Sequence, residues 1–195
     1  MLSHALEYND EYVRIVRHGR ARMSQTATMT VRLARFPEDL DAVRRLWLEY
    51  LTWGSSQMQS RHGVHLHSPA ETVEQDLAAV GKYQPPQGCL VLVFRDGQAC
   101  GVGCLHRIGD GIGEIKRMYV DPSLRRLGAG RAILDHLLTA ARNAGYTKVR
   151  LDSADFLAAA HALYRSVGFK DIEPYPESEL PEQFRQYLVF MERDM

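Results

Sequence analysis

No apolar run in this chain approaches the ~20 residues that a membrane-spanning helix needs, and its N-terminus carries no apolar core of the signal-peptide kind. The expected location is the cytoplasm, with no membrane partner. Cysteine is scarce: Cys89, Cys100 and Cys104 are odd in number and lack a C-x-x-C spacing. That removes a disulfide framework and a cysteine metal knuckle, and leaves reduced thiols. Net charge is also missing, since 24 lysines and arginines meet 24 aspartates and glutamates. Nothing in bulk therefore draws the chain to nucleic acid, and a small molecule is the more natural partner. Repeats and low-complexity segments are absent too. What remains, 45% apolar and 25% charged residues over 195 positions, is the make-up of one globular domain. Such a chain can bury its core without disulfide help.

Residues 1–28 are polar and basic with weak periodicity. They are expected to form a poorly ordered extension, or an arm that packs on a second subunit, ahead of a domain spanning 29–195. Thr30 to Ala34 reads as a strand, and Leu40, Val43, Leu46, Trp47 and Tyr50 give a helix from about Glu38 to Trp53 one apolar face. A loop from Gly54 to Ser68 follows. Ser68-Pro69-Ala70-Glu71 then opens a second helix to about Tyr83, with Ser68 as N-cap and Glu71 closing a capping box. Strands are expected at Cys89 to Arg95 and Ala99 to Ile108 around an Asp96-Gly97 turn. A third strand, after Gly109-Asp110-Gly111, ends at Val120. Past Gly128 a helix carries Ile133, Leu134, Leu137, Leu138 and Ala141 on one face, and Gly145 ends it. Val149 and Leu151 mark a strand parallel to the one before the helix. A helix from Phe156 to Val167, a strand from Phe169 to Ile172, a loop from Pro174 to Pro181 and a strand from Gln186 to Glu192 complete a mixed α/β sheet covered by helices.

The organising stretch is Gly113 to Leu134, GEIKRMYVDPSLRRLGAGRAIL. Met118, Tyr119 and Val120 end a β-prone run, Asp121 and Pro122 stop it, and Leu127-Gly128-Ala129-Gly130 open the helix. The first N–H groups of a helix have no partner within it and carry the positive end of its dipole. Where Gly128 and Gly130 remove the Cβ, an anion can come close. A Walker loop is excluded because Arg131 and Ala132 follow Gly130, and a dinucleotide fingerprint because Ile133 stands in the third glycine's place. Within the strand the apolar phase slips by one between Ile115 and Met118, across Lys116 and Arg117. A β-bulge absorbs such a slip.

The pattern Arg125-x-x-Gly128-x-Gly130 after E-I-K-R-M-Y-V-D-P resembles the acyl-coenzyme A loop of the GCN5-related N-acetyltransferases. The order of elements is similar to that fold from Thr30 to the C-terminus. The resemblance implies a single acyl-CoA N-acyltransferase domain of six to seven strands, with helices on both faces and a splayed central strand pair. It implies acetyl-CoA (coenzyme A) as co-substrate. The pantetheine arm would pair with the backbone of Met118, Tyr119 and Val120, and the pyrophosphate would be cradled at Leu127, Gly128, Ala129 and Gly130. Arg125, Arg126 and Arg131 would flank it. The oxyanion would meet the N–H of Met118 or Tyr119.

Amine acetylation also needs a neutral amine and a proton for the departing sulfur. Ala160-x-x-Leu163-Tyr164-x-x-x-Gly168-Phe169 resembles the family's second cofactor motif, in which this tyrosine is the acid. Otherwise Tyr164 is a packed aromatic. Glu114, at the start of the central strand, is the candidate base by the same resemblance, or else a strand-end glutamate paired with Lys116 or Arg117. His106 is an alternative for that role. The family often has an asparagine seven positions before the tyrosine, where this chain has Leu157, with Asp152, Ser153 and Asp155 nearby. His62, His65 and His67 lie in a loop without cysteine or carboxylate at a metal-site spacing, so no metal is expected. By resemblance they, with Trp53, would face the acceptor, and Tyr175 in the loop Pro174 to Pro181 would form the opposite wall.

The activity this implies is direct transfer of acetyl to a primary amine of a small molecule or peptide in a ternary complex. The alternatives are a coenzyme A binding module without transferase activity and an acyltransferase for longer chains. An exposed C-terminal strand or the N-terminal arm could pair subunits into a homodimer.

Overall fold

A computed structural model describes residues 4–9, 12–17, 29–179 and 181–195, with side chains from Met29 onward. Among the described residues nine strands form one sheet in the order β1-β2-β3-β4-β5-β6-β7-β9-β8. These are β1 (His4–Asn9), β2 (Tyr12–Arg17), β3 (Met29–Leu33), β4 (Cys89–Arg95), β5 (Gln98–Gly109), β6 (Ile112–Val120), β7 (Lys148–Ala154), β8 (Lys170–Ile172) and β9 (Leu188–Asp194). The helices are α1 (Leu40–His62), α2 (Pro69–Ala78), α3 (Ala129–Asn143) and α4 (Ala158–Ser166). From Met29 on the sheet has seven strands, within the six to seven expected. The two others lie between His4 and Arg17, where β1 pairs antiparallel with β2 and β2 pairs antiparallel with β3. Residues 1–3, 10–11 and 18–28, where poor order is expected, lie outside the described residues. Among the described residues no helix is long and apolar enough to cross a membrane.

The central strands are apolar on both faces because both are covered. On β4, Cys89, Val91 and Val93 face a cluster with Ile133, Leu134, Leu137 and Ala141 of α3. Leu90 and Leu92 point to the opposite side, against Val43, Leu46 and Trp47 of α1 and Val73 and Leu77 of α2. Each fully buried side chain of this kind contributes about 1.5–3 kcal/mol. The sheet is thereby locked between two helical layers. The approach of α3 is tight: a Cβ on Gly103 of β5 would collide with Ile133 Cγ2, so only glycine lets the helix settle there.

Several boundaries differ from expectation. The first helix does not stop at Trp53 but continues through Gly54 to His62, where Gly63 in the left-handed conformation ends it. An interior glycine costs only about 1 kcal/mol, and the turns on either side of Gly54 outweigh it. The last helix is shorter, Ala158–Ser166, because Phe156 and Leu157 turn the chain out of β7. The final strand begins at Leu188, preceded by a 3₁₀ helix over Glu182–Tyr187.

Candidate active site

Backbone pairing between β6 and β7 is parallel over Ile112–Glu114 and Lys148–Arg150. Beyond that rung the strands part, although β6 continues to Val120 and β7 to Ala154. The gap opens into a cleft of about 590 Å³. The bulge that the apolar phase requires is present: Val102 and Cys104 of β5 face Tyr119 and Lys116, so β6 carries one extra residue between them. That stretch includes Arg117, at φ 52°. Its guanidinium reaches back under the sheet to Asp76 of α2 at 2.6 Å, which holds the bulge in place.

Met118, Tyr119, Val120, Arg125, Arg126 and Gly130 all line the cleft, as Tyr164 does from α4. Leu127, Gly128, Ala129 and Arg131 are not in its lining; Leu127 and Gly128 lead into α3, and Ala129 and Arg131 lie in its first turn. Gly128 is the N-cap of α3 at φ 91°, a conformation costly for any residue with a Cβ, and a Cβ there would meet nothing within 4 Å. Among the described residues the N–H groups of Gly128, Ala129, Gly130 and Arg131 have no acceptor. This open turn with its free donors is the physical requirement for a pyrophosphate, so the residues present fit coenzyme A. Arg125 stacks 5.8 Å from the Trp53 ring, while Arg131 is held by Asp135 at 2.9 Å.

Tyr164 is 6% exposed, and its hydroxyl donates to Met118 Sδ at 3.7 Å, which puts the phenol against β6 inside the cleft. Burial, helped by Tyr50, pushes its pKa well above the ordinary phenol value, so it keeps its proton at neutral pH. Leu157, at the place of the asparagine common in the resembling family, lines the same cleft at the start of α4.

Glu114 is placed differently from a strand-end group. It is 0% exposed and is not part of the cleft lining. Tyr175 Oη donates to its Oε1 at 2.7 Å, and His106 Nε2 and Lys116 Nζ lie 2.9 and 3.5 Å from its Oε2. Burial alone would raise its pKa, but His106, Lys116 and Tyr175 together hold it below the ordinary carboxylate range. His106 and Tyr175 are thus its partners, on opposite sides of one buried carboxylate. Trp53 does line the cleft, packed edge-on against Phe156 at 5.9 Å. His62 instead bonds Asp155 at 3.0 Å and stacks on Tyr187, and His65 and His67 are not among the lining residues.

The residue that sequence reasoning left without a role is Asp152. It lines the cleft from β7, and Ser178 Oγ donates to its Oδ2 at 2.9 Å. The available signal was parity, because Val149, Leu151 and Ser153 of β7 are buried on one face and Asp152 falls on the other.

The sequence profile of the acetyltransferase (GNAT) family matches residues 40–169. An uncharacterised N-acetyltransferase of Schizosaccharomyces pombe is 32% identical over 177 residues, covering 89% of this chain and 99% of its own. Among solved structures, an acetyltransferase of Streptococcus agalactiae superposes with a TM-score of 0.67 at 16% identity, covering 86% of this chain and 98% of that one. The PaiA N-acetyltransferase of Thermoplasma acidophilum, solved in complex with coenzyme A, has a TM-score of 0.62 at 17% identity, with 86% and 99% covered.

Proposed function

The chain belongs to the acetyltransferase (GNAT) family and is an acetyl-coenzyme A dependent N-acetyltransferase; we propose that it transfers the acetyl group directly to a primary amine of a small molecule or peptide, in a ternary complex in the β6/β7 cleft. The observation that carries this reading is the cleft itself: a gap between two parted parallel strands, with free main-chain donors at the α3 turn and a buried phenol on its wall.

Bound there, acetyl-coenzyme A supplies an acyl group already activated as a thioester. The residues of this chain then have separate tasks. Gly128 to Arg131 hold the diphosphate with their N–H groups, and Arg125 and Arg126 add charge at the rim. Main-chain groups of Met118, Tyr119 and Val120 hold the pantetheine arm, and the N–H of Met118 or Tyr119 beside the bulge steadies the developing oxyanion. Tyr164 gives its proton to the sulfur that leaves. Trp53, with Tyr50 and Phe156, closes the cleft on the acceptor side and excludes water. The free cysteines fit a reducing compartment, and we place the protein in the cytoplasm.

Thiol release from acetyl-coenzyme A across a panel of primary amines, with calorimetry of cofactor binding, tests the assignment. Release that depends on an amine is expected. Tight binding with no turnover on any amine would reduce the protein to a coenzyme A binding module.

A further inference from the structure

We propose that Asp152 of β7, and not Glu114 of β6, is the base that takes the proton from the incoming ammonium. The proposal rests on the transferase reading above. Glu114 and Arg150 form the last rung of the β6/β7 pairing, so Lys116 and Asp152 stand two residues further on, across the throat where the cleft begins. Both line the cleft. An acceptor nitrogen that approaches a thioester lying along Met118 to Val120 arrives at this throat.

The two carboxylates are committed to different degrees. Glu114 has both oxygens engaged, by Tyr175 on one and by His106 and Lys116 on the other, and no surface in the cleft. A proton could reach it only if that network opened. Asp152 accepts one hydrogen bond, from Ser178, and is in no ion pair among the described residues; its Oδ1 accepts none from another described residue. It therefore has a lone pair free where the amine enters.

The electrostatics act in the same direction. Facing Asp152 are Glu114, Lys116 and Arg117 from β6, Tyr50 from α1, and Tyr175 and Ser178 from the β8–β9 connection. Burial pushes the Asp152 pKa up, and the Glu114 anion adds to this, while Lys116, Ser178 and Arg117 pull back without cancelling it. A carboxylate raised towards neutrality is a better base than one held below its usual range. Glu114 thus acts as a fixed anion that keeps Asp152 basic, a positioning role rather than a catalytic one.

The step balances. The ammonium loses one proton to Asp152, and the freed nitrogen lone pair forms the C–N bond to the thioester carbonyl carbon. The C–S bond then breaks, Tyr164 protonates the sulfur, and the nitrogen's second proton restores the phenol. Net, one proton leaves to solvent through Asp152.

Asp152→Asn is isosteric and keeps an acceptor for Ser178. With ethanolamine, benzylamine and glycinamide as acceptors, it should lower kcat about 100-fold or more, remove the acid limb of the pH–rate profile, and leave acetyl-coenzyme A affinity unchanged. Hydroxylamine, already neutral at pH 7, should be acetylated at nearly the wild-type rate. Glu114→Gln should keep the acid limb and move it to lower pH, since loss of the anion lets the Asp152 pKa fall. Carbon-13 titration of the carboxyl groups should show one aspartate, missing in Asp152→Asn, that titrates above the usual range. Retained turnover and acid limb in Asp152→Asn, disappearance of the limb in Glu114→Gln, or an Asp152 that titrates normally would overturn the proposal and leave the transferase reading intact. A chain that binds acetyl-coenzyme A but acetylates no amine would end both.

Discussion

Tyr164 and Glu114 show how one kind of placement, burial beside β6, produces opposite consequences for two ionisable side chains. The phenol is neutral when it holds its proton, so burial favours the form that can act as an acid. Its replacement by Phe should cut turnover about 100-fold while coenzyme A affinity changes little; equal turnover in the variant would remove the acid role. The carboxylate is buried in its charged form and is tolerated only because Tyr175, His106 and Lys116 satisfy it. A carboxyl held below its unfolded value of about 4.3 adds stability that is fully present above that pH and lost as pH falls through the lower folded value. Glu114→Gln should therefore cost about 3 kcal/mol, or roughly 6–12 °C in Tm, at pH 7. The gap between variant and wild type should narrow as pH drops below about 4. A difference in Tm that is constant from pH 7 to pH 3 would mean that Glu114 is not held as an anion.

At the scale of elements, the strand-to-helix join from β6 into α3 does the binding, and its geometry follows from two glycines and a bulge. Gly128→Glu should abolish coenzyme A binding: it puts a Cβ on a residue at φ 91° and sets a carboxylate among the donors meant for phosphate. Calorimetry on the folded variant checks this, and undiminished affinity would move the diphosphate elsewhere. This join was legible in the sequence because its signals are local. The glycine spacing, the Asp121-Pro122 stop and the one-residue slip past Ile115 all lie within one short stretch. The helix boundary near Gly54 was less legible because a single glycine is a weak stop when Met58, one turn on, is again buried. The throat of the cleft was not legible, for a different reason. Tyr175 meets Glu114 across 61 positions and Ser178 meets Asp152 across 26, so those pairings exist only after β6, β7 and the β8–β9 connection are brought together. No periodicity in β7 says which donor will reach Asp152.

At the scale of the molecule, the sheet carries two cores, one on each face, and among the residues whose side chains are described both draw on strands and helices from Met29 onward. The cleft is lined by residues from Tyr50 to Tyr164. Among the described residues the hairpin of β1 and β2 joins the rest of the sheet through β2 alone, which pairs with β3, three strands away from β6 in the order of the sheet. Its removal would leave β3 as an edge strand, still paired to β4 along its whole length. A chain beginning at Met29 should therefore fold, keep its acetyl-coenzyme A affinity within about twofold, and lose only a few degrees in Tm, because an edge strand contributes less than a central one. The new edge exposes unpaired backbone groups, so association at high concentration is the expected side effect. Loss of cofactor binding on truncation would mean that the N-terminal hairpin sets the spacing of β6 and β7 from a distance, and that the domain does not begin at Met29.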